Sequence, residues 1–287
     1  MKQLKVGVQA MMLKEEFASI GAYETLKKVS EIGYRCVEIS QIPMTPANVQ
    51  SMKKAQEEFG IKIASLSAGV TPNGPMDGES IATHFRKIVS DCRTLDCRYL
   101  RIGMLPMNCM SDLDAVLHFC KMAEIAAQKL KDEGIDLYYH NHHVEFHKYD
   151  GKYLLDIIRE NCPTLGFELD VHWVHRGGED PVRIINRYAG KVKLIHLKDY
   201  RIGVIPKSTM AEIAKGNFGA FGKAFAELVE FAELGEGNLD IPACIEAGKA
   251  AGAEYFFIEQ DQLYGRSVYE ALTIDRDNLA KMGYEIV

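Results

Sequence analysis

The sequence has no uninterrupted apolar run approaching the ~18–20 residues of a membrane-spanning helix, so no membrane span is expected. Positive charge is in deficit: Lys and Arg total 34 against 40 Asp and Glu, a net charge of −6. A protein that grips a phosphate backbone carries the opposite sign on its binding face, which argues against nucleic acid as a partner. The seven cysteines (36, 92, 97, 109, 120, 162, 244) are an odd set with no CxxC pair, scattered through apolar segments. They read as reduced core thiols of a cytoplasmic protein rather than as a disulfide framework. The opening MKQLKVGVQAMML lacks the longer apolar core and small-residue cleavage site of a secretion signal. No GxGxxG follows the first β-like run, and Gly177-Gly178 lacks the Lys-Ser/Thr of a P-loop. No linker or low-complexity tract divides the chain, and 47% of its residues are apolar, enough to offset the ordering entropy of a globule.

What is present is a rhythm. Short β-branched or aromatic runs stand at Lys5–Ala10, Arg35–Ser40, Lys62–Ser67, Tyr99–Gly103, Asp136–His140, Leu165–Asp170, Lys191–Leu197 and Tyr255–Glu259, each followed by a charged, helically periodic segment. Markers at positions 9, 38, 67, 103, 140, 170, 196 and 259 lie 26 to 37 residues apart, except for a last step of 63. Each short step fits one βα unit; the long one carries an insertion at about 201–239, rich in Gly, Lys and Phe. Helices are expected over Asp112–Glu133, over Met52–Phe59 before Gly60, over Glu24–Ile32 before Gly33, and after the Asp180-Pro181 cap. Strands too apolar to leave a face in water imply a parallel sheet covered by helices. A doubly wound open sheet and a (β/α)8 barrel both satisfy this. The length and unit count favour a single-domain barrel spanning 1–287.

A barrel of this kind carries its chemistry at the C-terminal ends of its strands. The fifth run ends in Tyr138-Tyr139-His140-Asn141-His142, the sixth in Glu168-Leu169-Asp170, the seventh in His196-Leu197-Lys198 and the eighth in Glu259-Gln260-Asp261. Seven of the nine histidines lie between 140 and 196. His, Asp, His and Glu from four consecutive strands meeting at one rim are a ligand set for one divalent ion; left unligated, buried charges there would be costly. Two imidazoles favour Mn²⁺, Co²⁺, Fe²⁺ or Zn²⁺ over Mg²⁺.

The phrases YYHNHHVEF, FELDVHWVHRGGEDP, IHLKDY and FFIEQDQ together resemble the xylose-isomerase-like TIM-barrel superfamily, over nearly the whole chain. That resemblance implies one divalent ion held by His140, Asp170, His196 and Glu259. The fifth-strand ligand is usually glutamate; histidine there is shared with inosose-dehydratase-like members. It also implies an acid/base role for His142, substrate-holding roles for Lys198 and Arg201, and catalytic duty for Glu259. In the 3-epimerases, glutamates from strands five and eight exchange the proton on opposite faces of the substrate. With His140 in one of those places, His142, Glu145 or Lys198 has to supply the missing acid/base function. Glu38 and Gln9 at earlier strand ends, with His172 and the aromatic Trp173, are the further candidates for lining the pocket. Tyr200 is a candidate for its wall, and the insertion with Lys207, Lys215 and Phe218–Phe225 for a lid.

The expected function is therefore metal-dependent isomerisation or epimerisation of a keto-sugar or keto-polyol through an enediolate. Dehydration or β-elimination from the same intermediate is the alternative that the His140/His142 pair favours. Apurinic-endonuclease activity on this barrel and non-catalytic sugar binding are the remote ones. The expected partner is a small carbohydrate or polyol, with no membrane and no nucleic acid. Barrels of this kind often pair through their helices, which keeps a homodimer open.

Overall fold

A computed structural model describes residues 1–72 and 79–287. The eight barrel strands are β1 (Val6–Gln9), β2 (Cys36–Ile39), β3 (Lys62–Ser67), β4 (Tyr99–Ile102), β5 (Asp136–His140), β6 (Gly166–Asp170), β7 (Val192–Leu197) and β8 (Tyr255–Ile258). Each pairs in parallel with its neighbours in sequence, and β8 returns to β1, so the sheet closes. The fold is a single-domain TIM barrel, and the open doubly wound sheet is set aside. Every expected strand lies within one residue of its place.

The helices are α1 (Lys14–Ile32), α2 (Pro46–Phe59), α3 (Ile81–Thr94), α4 (Leu113–Asp132), α5 (Leu154–Asn161), α6 (Val171–Arg176), α7 (Pro181–Arg187), α8 (Lys207–Ala214), α9 (Phe218–Ala226), α10 (Ile241–Ala251) and α11 (Val268–Lys281). Asp112 and Asp180 cap α4 and α7 as their sequences imply. One helix starts earlier than its apolar periodicity does. α2 begins at Pro46, because the Thr45 hydroxyl accepts from the Asn48 N–H and proline suits the first helical turn.

Strand alternation sorts the barrel interior into layers. The floor is an apolar cluster of Cys36, Ala64, Tyr99, Tyr138, Leu194, Tyr255 and Phe257. It is separate from the larger core between barrel and helices. Two residues further along their strands stand Glu38, Arg101, His140, Glu168, His196 and Glu259, all buried. Gly166 is required by this packing: a Cβ there would sit 2.3 Å from Tyr138 Cε1.

The insertion after β7 is an antiparallel ribbon, Asp199–Ile202 against Val229–Ala232, carrying α8 and α9. Its base is tied down by Asp199, whose carboxylate accepts from the N–H groups of Gly235, Gly237 and Leu239. Lys198 and Asp199 are neighbours in sequence but form no surface ion pair: both side chains are buried and each has other partners. α8 and α9 bury no residue, and Phe218 and Phe225 are exposed. All seven cysteines are buried free thiols.

Candidate metal centre

Four strand ends bring one ligand atom each to the barrel axis. Nδ1 of His196 lies 2.8 Å from Glu259 Oε2, 3.1 Å from His140 Nε2 and 3.9 Å from Asp170 Oδ2, and His140 Nε2 lies 3.6 Å from Asp170 Oδ2. All four atoms lie within 4.8 Å of one another. Donors bound to one ion at ~2.0–2.2 Å stand roughly 3–3.6 Å apart, so this spacing is that of a coordination shell. Asp170 supplies a further mark. Its Oδ1 accepts from the Trp173 N–H and caps α6, while its Oδ2 is buried with no hydrogen-bond partner among the described residues. A carboxylate oxygen left so is costly unless a cation meets it. The donor set fits a divalent ion.

The charges are arranged around that point. Burial, with His196 and Arg101 nearby, drives His140 well below the ordinary histidine pKa, leaving its nitrogen free to ligate. Burial lifts Asp170 to about 7. Burial opposes ionisation of Glu259 too, but Lys198 and His196 outweigh it and hold that carboxyl well below its ordinary range. His196 is opposite to His140: burial disfavours its charge, and Glu168, Glu259 and Glu38 overcome that. Its Nε2 faces Glu38 Oε1 at 3.0 Å and Glu168 Oε2 at 3.3 Å, so the ring is gripped from below and turns Nδ1 upward.

The other expected site residues fall into three groups. His142, His172, Trp173 and Lys198 belong to the rim. Lys198 Nζ is 2.8 Å from Asp261 Oδ1 and 3.4 Å from Glu259 Oε2, and lies 5.0 and 5.2 Å over the rings of Trp173 and Phe231. Those carboxylates overcome burial and raise its pKa to about 12. Burial lowers His142 to about 4, and its Nδ1, His172 Nδ1 and Trp173 Nε1 are buried without partners among the described residues. His143 stacks on Trp173 at 5.1 Å.

Glu145 and Glu38 are brought close but in other capacities. Glu145 accepts from Tyr139 Oη at 2.6 Å and from the His142 N–H at 2.7 Å, so it holds the loop that carries His142. Glu38 is fully buried and paired with Arg101 Nε at 2.8 Å. Arg201 and Tyr200 stand apart. Arg201 pairs with Glu230 on the ribbon and with Glu236 just beyond it, and Tyr200 Oη bonds His175 Nδ1 at 2.7 Å, although its ring also packs on His172.

Sequence reasoning passed over Arg101, Glu168, Asp261 and Phe231. Two of these carried a signal: Glu168 is two residues before Asp170 and so on the same strand face, and Arg101 is a lone charge in an apolar strand. Phe231 arrives only through ribbon pairing, and Asp261 lies beyond the strand where no period applies. Gln9, weighed only as pocket lining, donates Nε2–H to Glu259 Oε1 at 2.9 Å and orients that carboxylate. A groove of about 660 Å³ is lined in part by Met11, Met12, Gln260, Asp261 and Leu263; none of the four candidate ligands lines it, and its link to them is Asp261, the partner of Lys198.

The model of the family described as xylose isomerase-like TIM barrel matches residues 26–270. The chain belongs to this family. Solved xylose isomerase-like barrels share its architecture. A sugar phosphate isomerase/epimerase from Parabacteroides distasonis ATCC 8503 is 21% identical, with 98% of each chain covered and a TM-score of 0.73. L-ribulose 3-epimerase is 14% identical, covering 97% of this chain and 94% of its own, with a TM-score of 0.67. The probable 3-DHS dehydratase AsbF from Bacillus anthracis is 12% identical, covering 98% and 99%, with a TM-score of 0.68. At these identities the likeness is one of fold. No curated protein matches the sequence. No helix among the described residues is long and apolar enough to cross a membrane.

Proposed function

We propose that the chain is a divalent-metal-dependent isomerase or epimerase of a keto-sugar or keto-polyol. The observation that carries this reading is the convergence of His140, Asp170, His196 and Glu259 around the unpaired Asp170 Oδ2. Mn²⁺, Co²⁺, Fe²⁺ or Zn²⁺ suits such a mixed set, Mg²⁺ less so. When bound, the ion supplies Lewis-acid polarisation of the substrate carbonyl and stabilises charge developing on its oxygen.

The chain's own groups do the rest. Lys198, charged at neutral pH, donates to a substrate oxygen next to the centre. His142, kept neutral by burial and with Nδ1 unpaired, removes the proton α to the carbonyl. Glu259, held ionised by Lys198 and His196, is the second proton carrier. Return of the proton at the neighbouring carbon gives the isomer; return to the opposite face of the same carbon gives the epimer. Trp173, His143 and Phe231 supply an apolar wall for a ring or chain face. The substrate class is a neutral polyol. Among the described residues, the cations buried at the centre, Arg101 and Lys198, are each balanced by two carboxylates, so neither offers uncompensated charge to a phosphate dianion, while the Lys198 ammonium can still donate to a neutral substrate oxygen.

Dehydration or β-elimination is favoured by one specific observation. The end of the fifth strand and the loop just beyond it present imidazoles, His140 and His142, with ring centroids 4.9 Å apart, where the two-carboxylate scheme needs a glutamate. A single imidazole can take the α-proton and hand it to a departing β-oxygen. The readings separate when protein loaded with Mn²⁺ is incubated in D2O with neutral keto-polyols and followed by NMR. Solvent deuterium in recovered isomers or epimers supports the first, and an unsaturated product the second. Tight binding with neither outcome across the panel rejects both.

A further inference from the structure

Beneath the rim the barrel holds a second convergence that the proposed reaction does not use. Oxygens of Glu38 and Glu168 and the Nε2 of His196 lie within 4.8 Å of one another, all fully buried. Two carboxylates and an imidazole are by themselves a ligand set for another divalent ion. Sharing His196, with Nδ1 toward one ion and Nε2 toward the other, they would make the centre dinuclear.

A side chain already serves this place. Arg101 Nε lies 2.8 Å from Glu38 Oε1, and one terminal nitrogen lies 3.4 Å from Glu168 Oε2. Ser67 Oγ accepts from Nε at 3.0 Å and Ser40 Oγ from the other terminal nitrogen at 2.9 Å. Arg101 is buried, as are both carboxylates it touches. Its charge is permanent, and its planar fork spans two carboxylates where a bare ion would need a full shell of donors.

We propose that Arg101 is a built-in cation occupying a second metal position, and that it keeps this centre to a single ion. It is also a positioning residue. By neutralising Glu38 and Glu168 in place, it holds both against His196 Nε2, which fixes the imidazole so that Nδ1 remains the ligand. Without it, two desolvated carboxylates stand unbalanced and recruit whatever cation can reach them. The inference rests on reading His140, Asp170, His196 and Glu259 as a metal centre.

Metal stoichiometry after dialysis against excess Mn²⁺, with folding checked by circular dichroism, tests it. Wild type is expected to retain one equivalent, Arg101→Met two, and Arg101→Met/Glu168→Gln one again. Electron paramagnetic resonance of the single variant is expected to show the broadening of two neighbouring Mn²⁺ ions. Glu38→Gln, which keeps the shape and Arg101, provides an independent arm: affinity of the remaining ion should fall roughly 10- to 100-fold, the usual cost of losing a ligand's supporting partner. Two tight equivalents in wild type overturn the proposal. So does a folded Arg101→Met that holds only one, or a Glu38→Gln with undiminished affinity. Wild type that retains no metal overturns the metal centre itself, and is told apart by that result alone.

Discussion

Lys198→Met keeps the side-chain stem between Trp173 and Phe231 but removes the ammonium. Lys198 is 2% exposed and compensates two carboxylates, Asp261 at 2.8 Å and Glu259 at 3.4 Å. Removing one partner of a buried ion pair costs ~3–5 kcal/mol. Here the lower end applies: Glu259 keeps His196 and Gln9, and the Asp261 side chain is 30% exposed. A loss of ~3 kcal/mol at ~2–4 °C per kcal/mol lowers the melting temperature of metal-free protein by roughly 6–12 °C. A bound cation replaces part of the missing charge, so Mn²⁺ should raise the variant's melting temperature more than it raises that of wild type. The pH dependence has a definite sign. Glu259 is held below its ordinary value of 4.5, so it contributes stability above that pH and loses it as pH falls through the depressed value. With Lys198 gone the depression shrinks and the acid loss begins at higher pH. Thermal melts with EDTA and with MnCl2, across a pH series, read all three effects. A metal-free variant melting within ~2 °C of wild type, with the same metal response, would refute the reasoning.

Asp170→Ala and Glu259→Ala should each fall well below one bound Mn²⁺ per chain by elemental analysis; stoichiometric metal in both would show that the ligands lie elsewhere. Asp275 is buried with its pKa raised well above 3.8 by desolvation, and its Oδ1 accepts from the Leu234 N–H at 2.7 Å. Its folded form therefore holds a proton that the unfolded chain releases, and stability drains away as pH rises from 3.8 toward the raised value. Asp275→Asn keeps the acceptor without the charge, so its melting temperature should exceed that of wild type by a margin that grows from pH 4 to pH 8. Gly166→Ala drives a methyl group into the Tyr138 ring and should cost ~1–3 kcal/mol, read as a fall in denaturant midpoint at unchanged slope.

The barrel was legible because a parallel strand buried on both faces must be apolar throughout, and because each helix announces its ends. EFGIKIASL and DEGIDLYYH place a glycine where the helix stops and a strand begins two residues later. The candidate ligands at the rim were legible for a related reason: a carboxylate or imidazole at the end of such a strand breaks its apolar run. His140, Asp170, His196 and Glu259 stand out in this way. Arg101 and Glu168 break their runs just as visibly. What they do there has no linear trace, since it depends on β2, β4 and β6 facing one another across the barrel.

Local chemistry thus dictated the repeat, its count of eight units and the residue types available at the mouth, because periodicity and capping act between near neighbours in the chain. Three-dimensional packing alone assigned the roles. It paired Glu38 with Arg101 below the rim, set Glu145 to holding the His142 loop, drew Arg201 away to Glu230 and brought Phe231 in from the insertion. Each of these depends on side chains from distant segments competing for the same few ångströms of buried space, where every charge must find a partner.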